Sequence, residues 1–140
     1  MLKDLLGDEL FFAGKKRFFS RHKYSAATTV TFMNVFHDIS GNDLELFFDK
    51  WLNSYKLPEV KASHSIITEE DGSILKFKFA QTKELFVFPL WLEWREDGKK
   101  IRKKIIINDR VVNCEFRVIS KPGKIKINPD KAVPGTFHFK

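Results

Sequence analysis

The sequence predicts an α+β chain: an N-terminal helical segment of three to four helices, then an antiparallel β-sandwich. Three observations carry this. Up to Pro58 the apolar residues recur with the 3.6-residue period of helices. After Pro58 the period becomes two, with short runs separated by turn residues. Pro58 itself lacks an amide proton and pushes Leu57 out of helical geometry, so no helix runs through it. The expected parts are therefore residues 1–58 and residues 59–140.

The elements follow in order. Leu2, Leu5 and Leu6 have helical spacing, with no capping residue before them, so "MLKDLL" reads as the last turns of a helix. Gly7 ends it and Asp8 can cap the next. In "DELFFAGKKRFFSRHKY" Phe11 and Phe18 are seven apart, as are Phe12 and Phe19, making a broad apolar stripe. Thr28 and Thr29 are candidate caps for a third helix, in which Phe32, Val35, Phe36 and Ile39 fall on one face. Ser40-Gly41 breaks that pattern. Asn42 followed by Glu45 resembles a capping box. Leu44, Phe47, Phe48, Trp51, Leu52 and Tyr55 then share a face.

Beyond Pro58, "EVKASHSIIT" and "ILKFKFAQ" flank an Asp71-Gly72 turn, a hairpin signal. "LFVFPLWLEW" alternates through Phe86, Phe88, Leu90 and Leu92, and Pro89 within it points to an edge or a bulge. A second Asp-Gly turn leads to "KIRKKIIIN", then "VVNCEFRVIS". Short strands follow in "GKIKINPD" and "GTFHFK". Six or seven strands at this spacing suit a sandwich.

Composition narrows the function. The hydrophobic share of 43% is that of a globular chain. Net charge is +7, placed unevenly: residues 1–58 hold 8 basic and 7 acidic side chains, residues 59–140 hold 17 and 11. A basic excess of this kind is the solvated face of strands unless aromatics interleave with it as they do in single-strand binders. Around "KKIRKK" the neighbouring Trp91 and Trp94 alternate across their strand, so at most one is exposed. No specific nucleic-acid binding is expected. No run reaches the about 18 apolar residues of a membrane span, so no membrane partner is expected. The acidic start does not read as a signal peptide, and a cytoplasmic location is expected.

Catalytic and metal-site residues are both read as none. The four histidines, His22, His37, His64 and His138, form no His-Glu-x-x-His pair. His37-Asp38 lies at the polar end of a helix, His22 in a charged helix tail, and His64 and His138 on strands, facing solvent. Cys114, the single cysteine, excludes an internal disulfide and reads as an ordinary strand residue. Glu69, Glu70 and Asp71 form an acidic hairpin tip, read as a solvated turn. There is no nucleophile elbow, phosphate loop or dinucleotide fingerprint.

The order of parts carries more than any single residue. "LLGDELFFAGKKRFFSRHKY…ATTVTFMNVFHDISGNDLELFFDKWLNSYKLPEV" resembles the zinc aminopeptidases of the aminopeptidase N family, the gluzincins. There a Leu-Gly-x-x-x-Phe helix follows the catalytic core, here Leu6, Gly7 and Phe11. A Thr-capped helix comes next, here at Thr29. Then comes Ser-Gly-x-Asp-Leu-x-x-Phe-Phe-x-x-Trp, here Ser40, Gly41, Asp43, Leu44, Phe47, Phe48 and Trp51, and a Pro, here Pro58, where an immunoglobulin-like β-domain begins. "LFVFPLWLEW" is similar to the family's Phe-x-Phe-Pro-Leu segment, and "KIKINPD" to its late strand.

This resemblance implies a noncatalytic C-terminal segment: the helical tail of a gluzincin catalytic domain, then an immunoglobulin-like sandwich. The parent would be a zinc enzyme that removes N-terminal residues from peptides, its zinc bound upstream, with no cofactor in this chain. The family's Gly-x-Met-Glu-Asn loop, His-Glu-x-x-His, distal Glu and catalytic Tyr have no counterparts here, so no catalytic role is carried over. Phe47, Phe48, Trp51 and Pro58 would serve interdomain packing. The partner would be the rest of the catalytic domain, or a second copy through exposed helices. The alternative is a stand-alone β-sandwich interaction module holding a protein or nucleic acid through its basic strands.

Overall fold

Gly7 divides the first helical stretch in two. α1 (Leu2–Leu6) ends there and α2 (Asp8–His22) begins at once, with no side-chain cap from Asp8, which is itself the first helical residue. α3 (Thr29–Ser40) has a reciprocal cap: Thr31 N–H donates to Thr28 Oγ1 at 3.2 Å, and Thr28 N–H to Thr31 Oγ1 at 2.8 Å. Gly41 closes α3 with φ 67°, a left-handed conformation that glycine takes without Cβ strain. Its N–H donates to the His37 carbonyl at 2.9 Å. α4 (Glu45–Asn53) starts later than the Asn42–Glu45 pattern suggests. The first amide is instead capped by Asp43, whose Oδ1 accepts from Glu45 N–H at 2.9 Å.

The computed structural model describes residues 1–140. The chain divides into Met1–Ser54, which holds every helix, and Tyr55–Lys140, which holds every strand. This is the α+β class predicted.

Aromatic rings organise the first unit. Phe32 is the hub, with ring centroids 4.7 Å from Phe36, 5.0 Å from Phe18 and 6.1 Å from Phe48. Phe11 stacks on Phe36 at 5.8 Å. Each such pair adds about 0.5–1.5 kcal/mol beyond simple burial. The α2 stripe splits here: Phe11 and Phe18 turn inward, while Phe12 and Phe19 stay 52% and 63% exposed.

The second unit has seven strands: β1 (Glu59–Glu69), β2 (Gly72–Gln81), β3 (Phe88–Glu96), β4 (Lys99–Ile107), β5 (Val111–Val118), β6 (Lys126–Ile127) and β7 (Thr136–Phe139). They form two sheets, ordered β5-β2-β1-β7 and β4-β3-β6. All pairs are antiparallel except β1–β7, which is parallel. The β3–β4 loop is Asp97-Gly98, both at positive φ as a tight hairpin requires. In the β1–β2 hairpin Glu69 pairs with Gly72, so the loop residues are Glu70 and Asp71, one position earlier than the sequence signal.

Alternation sets the core. Leu75, Phe77 and Phe79 of β2 and Phe88, Leu90, Leu92 and Trp94 of β3 are all buried. Rings from the two sheets meet, Phe77 with Trp94 at 6.4 Å and Trp94 with Phe116 at 5.5 Å. Pro89 does not put β3 at an edge, because β3 is the middle strand of its sheet. β6 pairs only with Leu92 and Glu93, so beside Pro89 one flank of β3 is open and the missing amide is tolerated. Gln81, buried among apolar groups, satisfies all it must: Nε2 donates to the carbonyls of Phe86 (2.9 Å) and Asp109 (3.1 Å), and Oε1 accepts from Phe86 N–H.

Candidate functional site

The aromatic helix α4 buries Phe47 and half-buries Phe48 and Trp51. The four-residue spacing sets the Phe47 and Trp51 ring centroids 6.5 Å apart, and the adjacent Phe48 ring lies edge-on to Phe47 at 5.4 Å. Pro58 belongs to the second unit. It is buried there, and its carbonyl accepts from Thr136 N–H at 2.9 Å, joining the entry of β1 to the start of β7. The structure thus gathers three of the four predicted packing residues in one cluster and gives the fourth a place in the β fold.

No group of three or more His, Cys, Asp or Glu side chains converges where a metal could be held. The donors present therefore do not fit a zinc ion, which needs three or four converging ligands. The histidines are dispersed. His22 lies against the Phe18 ring at 5.1 Å, with Nδ1 3.3 Å from Ser25 Oγ. Beside His37, Asp38 pairs with Arg21 at 3.6 Å. His138 lies opposite Lys61. His64 is exposed, yet its register places it opposite Phe77 on the core-facing side, with Phe139 5.1 Å away. Alternation through Val60 and Ala62 puts it on that same side, and its exposure agrees with the solvent contact expected of it. Cys114 is half-buried, and burial pushes its thiol up to about 11. A nucleophilic thiol needs the opposite shift. Glu69, Glu70 and Asp71 are all exposed at the hairpin tip.

The basic strands hold an electrostatic hub. Glu93 of β3, 7% exposed, faces cations from both neighbouring strands. Lys100 lies 3.2 Å away, Lys126 3.4 Å and Arg102 4.0 Å. The Lys100 ammonium, more than any other group, holds the Glu93 carboxyl below the usual carboxylate range, against the opposing effect of burial, with Lys126 adding to it. Arg102 also pairs with Asp130. Trp94 is 1% exposed, while Trp91 is half-buried under Arg102 and Lys104, whose charges sit 5.1 and 5.9 Å from its ring centroid. Of these two tryptophans only Trp91 reaches the surface, and cations already cover it. The hub is absent from the sequence reading, although alternation through Trp91, Glu93 and Arg95 opposite "KKIRKK" carries its signal.

No protein-family model matches the chain. Over 62 residues, 44% of its length, it is 37% identical to Aminopeptidase N of Lactococcus lactis subsp. lactis. Over 62 residues it is 36% identical to Aminopeptidase N of Lactococcus lactis subsp. cremoris (strain MG1363). The chain spans only 7% of the length of these curated relatives. It is an α+β chain without a converging metal-ligand set, and over part of its length it is similar to a segment of aminopeptidase N. No helix is long and apolar enough to cross a membrane.

Proposed function

We propose that the chain is a noncatalytic C-terminal part of a zinc aminopeptidase, one that in full length removes N-terminal residues from peptides. The observation that carries this is the 37% identity to Aminopeptidase N over 62 residues. In this reading residues 1–58 are the helical tail of a gluzincin catalytic domain. Residues 59–140 are its immunoglobulin-like β-sandwich. The exposed rings of Phe12 and Phe19 support it, since they are apolar surface that the rest of a catalytic domain would cover. Phe47, Phe48, Trp51 and Pro58 then serve core and interdomain packing, and zinc belongs to the upstream part of the parent.

The chain alone therefore neither retains zinc nor cleaves peptides. Elemental analysis of protein purified without chelators, paired with hydrolysis of aminoacyl chromogenic substrates, tests this. The expected result is neither bound zinc nor turnover. One zinc per chain together with turnover overturns the proposal.

A further inference from the structure

The two sheets of the second unit present unequal basic faces. On the β4-β3-β6 sheet three of the cations are committed internally, Lys100, Arg102 and Lys126 to Glu93 and Arg102 also to Asp130. The outward face of the other sheet differs. Register sets Lys61 of β1 between Ala80 of β2 and His138 of β7. One row along, Lys78 of β2 lies between Ser63 of β1 and Asn113 of β5. The small side chains of Ala80 and Ser63 leave a depression of about 530 Å³ among Lys61, Lys78, His138 and Lys140. It adjoins, at Ser63 and Lys78, a second of about 540 Å³ that runs past Ser65 and Asn113. Together they make a trough crossing the strands.

The nearby acids are taken. Glu59 lies 2.6 Å from Lys83, and Glu115 lies 3.5 Å from Lys76. Lys61 and Lys78 have no carboxylate partner. Unpaired positive charge lining a concavity recruits an anionic partner by complementarity.

We infer that this trough docks an extended acidic segment of polypeptide, its carboxylates against Lys61 and Lys78. The elongated shape suits an extended segment better than one small anion. Lysines act as separate point charges suited to successive carboxylates, and the lining offers no arginine fork for bidentate phosphate. Nucleic acid fits poorly, because the one ring among these lysines is the His138 imidazole, and no Phe, Tyr or Trp stands there to stack successive bases. The inference is independent of the aminopeptidase relationship, since it uses only the β unit's outward face.

The test is an NMR titration of the full chain with a ten-residue peptide alternating Glu and Ser, at about 50 mM salt so that screening is moderate. The double variant Lys61→Gln/Lys78→Gln is compared with Lys99→Gln/Lys103→Gln, which removes equal charge from exposed positions on β4. An oligothymidylate of equal charge is titrated in parallel. Saturable shifts at Ser63, Ala80 and Asn113 are expected, weakened about fivefold or more by the first variant, as two exposed charge pairs allow. The second variant should change affinity less than twofold, about the scale of a nonspecific rim effect. Absence of saturable shifts, or equal weakening by both variants, overturns the inference. Tighter oligothymidylate binding at the same lysines overturns the assignment to a peptide.

Discussion

The Phe36 ring occupies the space that a Cβ on Gly14 would need. Gly14 is the only buried residue of α2, and Phe36 of α3 is fully buried against it. The absent side chain is what lets α2 and α3 approach so closely. Alanine at position 14 gains about 1 kcal/mol of helix propensity. It also forces a core ring to move, and overpacking of this kind costs about 1–3 kcal/mol. Gly14→Ala should therefore destabilise the helical unit by up to about 2 kcal/mol net, read by urea denaturation monitored at helical wavelengths. A rise in the midpoint would show that the α2–α3 approach is looser than described.

Phe12 and Phe19 leave uncovered apolar surface on α2. Patches of this type drive association. The chain should self-associate with rising concentration, and Phe12→Ser/Phe19→Ser should shift it toward monomer with little loss of stability. By contrast Phe47→Ala, at a 5% exposed position, should cost about 3–5 kcal/mol. Sedimentation velocity and thermal unfolding separate the two effects. A strictly monomeric parent chain that binds no hydrophobic dye would count against an uncovered face.

Acid should unfold the β unit partly through Glu93. Its carboxyl is held below the ordinary value when folded, chiefly by Lys100. Glu59 is likewise lowered, chiefly by Lys83. A group depressed on folding contributes stability that is complete above its unfolded value, about 4.3 for Glu. That stability is lost as pH falls through the folded value. Stability should hold from neutrality down to about pH 5 and then fall, with Glu93→Gln showing a shallower fall. Lys56, raised chiefly by Glu84, acts at the other end, losing its contribution as pH rises through its folded value. Identical acid slopes in parent and Glu93→Gln would remove Glu93 from the explanation.

Cys114 should be a slow thiol in the native chain. With its value pushed to about 11 by burial, thiolate at neutral pH is roughly two orders of magnitude scarcer than for a free cysteine near 8.5. Reaction with a disulfide reagent should accelerate by about that factor in denaturant. Equal rates in the two conditions would mean the thiol is freely accessible.

Much of the fold was legible because single-strand and single-helix periodicity is local. Alternation through Leu75, Phe77, Phe79, Phe88, Leu90 and Leu92 names the β core directly, and Phe32, Val35 and Phe36 name the inward face of α3. What depends on register was hidden. The sequence cannot show that Lys61 sits beside His138, 77 positions later, or that β7 runs parallel to β1. Glu93 looked like one acid in a basic half, and only pairing with β4 and β6 makes it a hub. His64 is exposed as expected, yet its register opposite Phe77 sets it on the core-facing side of β1. Pro89 suggested an edge because the shortness of β6 is not written in the β3 sequence. The packing cluster was legible as a pattern, Phe-Phe-x-x-Trp, since its rings come from one helix.

The most direct measurement is the identity of the natural polypeptide that carries these residues. Antibody raised against residues 59–140 is used to recover it from its source, and the recovered polypeptide is sequenced by mass spectrometry. The proposed relationship predicts a much longer polypeptide, or a tightly associated one, that carries His-Glu-x-x-His, binds zinc and hydrolyses aminoacyl substrates. Recovery of a 140-residue chain alone, with no such polypeptide and no peptidase activity, would contradict it.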